Sequence, residues 1–119
     1  MSLLVRLAAG LFVAGLAQSA HSGLDAALEE IDAACRERAA EVVAEEWPQI
    51  EEQAEERGLE VTPRHRAMHE RVLRRRCQLA DRIEFVEGLR DDLSDEEWQE
   101  FGGDELLRDL REEFGVLRN

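Results

Sequence analysis

The sequence predicts an all-α chain: an antiparallel helical hairpin kinked near Pro48, two short C-terminal helices, and one disulfide stapling a small bundle. Three observations predict it. Ala, Glu, Leu and Arg dominate, with no Tyr, four Phe and two Trp in 119 residues, which is the composition of helical bundles rather than of sheets. Apolar residues recur at spacings of three and four, the period of one helix face. Gly, Pro, Ser and Thr fall where those patterns end, as helix caps require.

Residues 1–22 read as a secretory signal peptide. Arg6 and the N-terminus form a small positive region, and Leu7 to Leu16 is an unbroken apolar run. Ala17-Gln18-Ser19 and Ala20-His21-Ser22 both fit a small-x-small cleavage site, which places the cut after about Ser19 or Ser22. The apolar stretch is shorter than the roughly 20 residues a spanning helix needs. No cysteine stands in the cleavage region after it, which argues against a lipid anchor. An uncleaved N-terminal anchor is the rival reading. Residues 23–119 then form a single helical domain, periplasmic or secreted, and no later stretch is apolar enough to span a membrane.

The first helix of that domain is expected from Ser22, as N-cap, with Asp25 three residues on. Leu24, Leu28, Ile31, Cys35, Ala39 and Val42 share one face. Pro48 removes a donor and crowds the preceding turn, so a kink or restart is expected near Trp47. Ile50 and Ala54 continue the apolar stripe to Gly58, a natural residue to end a helix. Thr62-Pro63 opens the second helix. Its buried side is expected to use Met68, Val72, Leu73, Cys77, Ala80, Ile83, Val86 and Leu89, as far as about Asp92. Ser94 with Glu97 starts a third helix carrying Trp98 and Phe101, ended by Gly102-Gly103. The last begins at Asp104, uses Leu106, Leu107, Leu110 and Phe114, and is expected to stop at Gly115.

The charge is large and segregated. All 15 basic residues are Arg against 28 acids, a formal net of −13. Residues 23–60 hold 13 acids and three Arg. Residues 61–82 reverse the sign, with two acids and seven Arg, and residues 83–119 return to 13 acids and four Arg. Nucleic-acid binding needs a basic footprint that this balance excludes. The ordinary role of the basic middle segment is to pair with the acidic helices beside it. An anion or carboxylate site within it is the alternative.

In an exported chain two cysteines pair, so Cys35 and Cys77 are expected to be bridged. A straight hairpin centred near residue 60 would put Cys35 opposite about residue 85. That is roughly 12 Å from Cys77 at 1.5 Å per residue, more than a disulfide spans. Intrachain pairing therefore requires the register to shift, for which a bend at Pro48 is the candidate. A disulfide-linked dimer or two buried thiols are the rivals.

Other candidate chemistry is sparse. His65 and His69 lie one turn apart on the second helix, a spacing that suits a divalent metal, although Arg66 stands where a zinc protease would carry Glu. No nucleophile constellation or phosphate loop is present, so no enzyme and no cofactor are expected. Trp47 and Trp98 are either core anchors or exposed hot spots for a protein partner. The helix starts Val61-Thr62-Pro63 and Leu93-Ser94-Asp95-Glu96 resemble the Leu-Thr-x-x-Gln starts of small helical periplasmic chaperones of the envelope-stress type, with His65 and Glu97 in place of Gln. The resemblance covers about ten residues and implies a concave helical cradle. The reading that follows is an exported, non-enzymatic protein-binding or chaperone-like module, monomeric or a small homo-oligomer. The alternative is a metal or small-ligand binder centred on His65 and His69.

Overall fold

The computed structural model describes the backbone of residues 17–118 and the side chains of residues 23–117. Most of the expected signal segment lies outside them. Among the described residues four helices follow one another: α1 (Ala17–Glu56), α2 (Pro63–Asp92), α3 (Asp95–Phe101) and α4 (Gly103–Arg118). α1 and α2 form the antiparallel hairpin, α4 packs along α2, and α3 packs on α4. The molecule is 60 Å long and 23 by 19 Å across, the length expected of the 40-residue α1 at 1.5 Å per residue. Among the described residues no helix is long and apolar enough to cross a membrane.

Each helix end has a local cause. Gly58, at φ 68°, ends α1 in the left-handed conformation that Gly adopts without strain. Its N–H donates to the Glu55 carbonyl at 3.0 Å, and the Leu59 N–H donates to Ala54 at 2.8 Å, closing a two-bond C-terminal cap. Thr62 caps α2 with Pro63 in the first turn. Ser94 caps α3 through a reciprocal pair with Glu97. Gly102, at φ 76°, ends α3, and its carbonyl accepts from Leu106 at 3.1 Å to begin α4.

Several expectations need correction. The chain is already helical at Ala17, so Ser22 lies inside α1 and is not its N-cap. Residues 17–20, Ala-Gln-Ser-Ala, contain no helix breaker. Pro48 does not restart the helix, which runs unbroken from Ala17 to Glu56. The carbonyl that Pro48 leaves unbonded belongs to Ala44, which is exposed and open to water. α4 begins at Gly103 and continues through Gly115 to Arg118. There Arg76 reaches across to the Leu117 carbonyl at 3.0 and 3.3 Å, supplying a partner that an α-helix end otherwise lacks.

From Ala27 to Trp47 the buried side of α1 is Ala27, Ile31, Cys35, Ala39, Val43 and Trp47, every fourth residue, so Val43 is fully buried and Val42 only half. A four-residue step advances about 40° per turn around a 3.6-residue helix, so the seam winds round α1 rather than running straight along it. The main core gathers Ile31, Cys35, Leu79, Phe85, Val86, Leu89, Trp98, Leu107 and Leu110 from all four helices. It lies at the end of the molecule where α1, α2 and α4 run side by side.

Ion pairs align these helices as the charge pattern anticipates. Arg82 of α2 makes a two-pronged pair with Asp32 of α1, with Nε at 3.1 Å from Oδ1 and Nη2 on Oδ2. Arg75 of α2 donates from Nε and Nη2 to Glu113 of α4 at 3.0 and 2.6 Å. Arg111 of α4 reaches Glu87 at 3.1 Å. The basic segment thus pairs with the acidic helices on either side of it.

Candidate functional site

α4 ends beside Arg76, whose guanidinium holds the Leu117 carbonyl. Beyond that point α1 and α2 continue as a two-helix arm tipped by the 57–62 linker. A pair of helices cannot enclose both of its faces, and the consequence is visible on α2. Met68 and Val72, one turn apart, are 54% and 38% exposed, and Leu59 at the tip is 61% exposed. Met68 and Val72 were expected on the buried side. Their periodicity places them on one stripe with the core residues further along, but α4 stops short of them. Arg64 and Arg71 lie one turn away on the same face, so the exposed apolar stripe has a basic border.

The Cys35–Cys77 disulfide is intrachain, with 5.6 Å between Cα atoms, and stands where the arm leaves the core. His69 faces Glu46 and Arg82 faces Asp32, so the helices pair with nearly the same offset at both places. Extrapolated, that offset sets Pro63 level with about residue 52 of α1, roughly 6 Å short of its end. Most of the register shift that the disulfide requires is therefore already present at Glu46 and His69, and that part arises between them, where Pro48 and the linker lie.

The surroundings of the two sulfurs differ. Cys35 is fully buried; Cys77 is half-buried. Asp81 places Oδ2 at 3.5 Å from Cys35 Sγ and 3.8 Å from Cys77 Sγ. Arg38 places Nη1 at 3.6 Å from Cys77 Sγ and 3.8 Å from Asp81 Oδ2. Beside them an open, mostly apolar cleft of about 450 Å³ is lined by Arg76, Cys77, Ala80 and Phe114. Sequence spacing singled out the cysteines but not Asp81 or Arg38, whose positions one turn from Cys77 and Cys35 were the available signal.

His65 and His69 have separate environments. His65 replaces the usual Glu or Gln of a capping box: the Thr62 N–H donates to its Nδ1 at 3.0 Å. His69 Nε2 is enclosed without a hydrogen bond, and its nearest carboxylate oxygen, on Glu46, is 3.6 Å away. The cluster of three ligand-type residues found among the described residues is Cys35, Cys77 and Asp81, and it includes neither histidine. Its two sulfurs are bonded to each other. Trp47 and Trp98 are both buried, at 8% and 4% exposure. Trp98 donates from Nε1 to Asp104 at 2.9 Å and lies under the Arg90 guanidinium, 5.7 Å from the ring centre. No family model, curated protein or solved structure matches this chain.

Proposed function

We propose that this chain is an exported, non-enzymatic binding module that engages protein segments through the outer face of its two-helix arm. The observation that carries the reading is the exposure of Met68 and Val72 one turn apart on α2, past the end of α4. Unbranched Met adapts its shape to varied apolar partners, and an amphipathic helix face is a common docking surface for them. The Arg64 and Arg71 border favours segments whose apolar anchors are flanked by carboxylates. Export is supported by the charged, apolar and small-residue order of residues 1–22. The acidic balance of the rest keeps such a module soluble while its apolar face is free.

A light-scattering assay tests the binding reading. An unfolding client protein is mixed with an equimolar amount of the full chain or of a Met68→Glu/Val72→Glu variant. The native chain is expected to suppress aggregation, and the variant to lose most of that effect while keeping its helical circular dichroism. Equal suppression by both, or none by the native chain, would remove the arm from the function. Intact mass of fractionated Gram-negative cells tests export: a periplasmic product lacking about 19 to 22 residues is expected, and a full-length cytoplasmic one would refute it.

A further inference from the structure

We propose that the Cys35–Cys77 bridge is a redox-active disulfide that exchanges with peptide dithiols, Cys77 being the sulfur attacked and Cys35 the buried sulfur that leaves. The proposal rests on the surroundings of the bridge and not on the arm surface. A disulfide that serves only as a staple gains nothing from charged neighbours, and in an apolar setting its sulfurs are inert. This one has an Arg guanidinium 3.6 Å from one sulfur and an Asp carboxylate 3.5 Å from the other. While the sulfurs are bonded neither carries a proton, so these are contacts waiting for the reduced state. On reduction, a Cys77 thiolate would lie beside Arg38, which stabilises it, and a Cys35 thiol would donate to Asp81.

Access has the matching asymmetry. Cys35 is sealed in the core, whereas Cys77 is half-buried and lines the open cleft with Ala80 and Phe114. An apolar peptide segment carrying a thiol fits such a lining, and from the cleft it meets Cys77.

The exchange balances within these groups. A peptide thiolate attacks Cys77 Sγ and forms a mixed disulfide. The Cys35–Cys77 bond breaks, and its electron pair goes to Cys35 Sγ, which takes up a proton from solvent relayed by the Asp81 carboxylate. The second peptide thiolate attacks the peptide sulfur of the mixed disulfide and expels the Cys77 thiolate beside Arg38, which is then protonated from solvent. Two electrons pass from peptide to chain, the two protons that the peptide thiols lost to solvent are matched by two that the chain's thiolates take up from it, and the peptide leaves with its own disulfide. The transfer is stoichiometric, one bond per chain, and a low-molecular-weight disulfide restores the bridge by the reverse route.

The test mixes the oxidised full chain with a fluorogenic apolar peptide bearing two cysteines, quenches with acid at intervals, and maps the mixed disulfide by mass spectrometry. The adduct is expected on Cys77. Arg38→Ala, which removes the cation beside the Cys77 thiolate that leaves in the second step, and Asp81→Asn, which removes the relay that protonates Cys35 before it can re-close the bridge, are each expected to slow peptide oxidation severalfold with helicity unchanged. Trapping in the unmodified chain needs no cysteine variant, so it stands even where Cys35→Ser fails to fold. Three results would each overturn the proposal: exchange only after urea unfolds the chain, an adduct on Cys35, or wild-type rates in both charge variants.

Discussion

Gly102 and Gly103 are adjacent and do different work. At Gly102 a Cβ would meet open space, but φ is 76°. At Gly103 the backbone is ordinary, but a Cβ would fall inside the Trp98 indole, closer than two carbons can approach. The first residue is needed for conformation and the second for packing. Gly103→Ala must therefore push the ring of a 4%-exposed Trp away from its bond to Asp104. Overpacking of this kind is expected to cost about 1–3 kcal/mol. Gly102→Asn should be tolerated with little loss, because Asn visits the left-handed region, whereas Gly103→Asn should be as damaging as Gly103→Ala. Urea unfolding of the three variants separates the two roles. The Gly-Gly pair marked the helix end in the sequence, but nothing in it told which glycine faced the indole, because that depends on how α3 folds back on α4.

At the scale of elements, most of the fold was legible because helix ends are local chemistry. Thr62-Pro63, Ser94 with Glu97, and Gly58 act where their residue types predict. What failed was non-local. Met68 and Val72 have the right spacing for burial, yet burial needs a third helix, and α4 is too short to reach them. Gly115 has the right identity to stop a helix, yet a guanidinium from another element holds the carbonyl two residues beyond it. A local contact also bears on the His pair, which has the spacing of metal ligands: a ring nitrogen of His65 accepts from the N–H of its neighbour Thr62 in the cap. The Ser94–Glu97 cap gives a titration test. Donation from the Ser94 backbone N–H, and then from its hydroxyl, holds the Glu97 carboxyl below its usual value of 4.5. A carboxylate with a lowered folded pKa stabilises the fold above its unfolded pKa and loses that contribution as pH falls through the folded one. The carboxyl resonance of Glu97 should thus titrate below 4.5. In Ser94→Ala it should move part of the way back, because the larger backbone bond remains. A midpoint at or above 4.5 in the native chain would mean that the reciprocal cap does not persist in solution.

On the scale of the whole molecule, the disulfide has a position as well as a strength. It encloses the segment between Cys35 and Cys77, 42 residues apart, and that segment is the arm with its linker. The residues outside it include Ile31, Phe85, Val86, Leu89, Trp98, Leu107 and Leu110, which form the four-helix end of the core. The arm itself has a thinner interior: Ala39, Val43, Trp47 and Ala54 on α1 are buried, while Met68 and Val72 on α2 stay exposed. Constraining a loop of this length is worth about 4 kcal/mol on the chain-entropy model, and nearly all of that constraint falls on the less well packed half. Reduction should consequently act unevenly. Hydrogen exchange is expected to accelerate across residues 40–74 when the bridge is reduced, while amides around Phe85, Val86 and Leu107 retain most of their protection. A uniform loss along the chain would mean that the arm and the core unfold as one unit. The uneven result would give the bridge a further consequence. Thiol exchange at Cys77 would loosen the same arm whose exposed face is proposed to bind protein segments, so the redox state of one bond would set the rigidity of the binding surface.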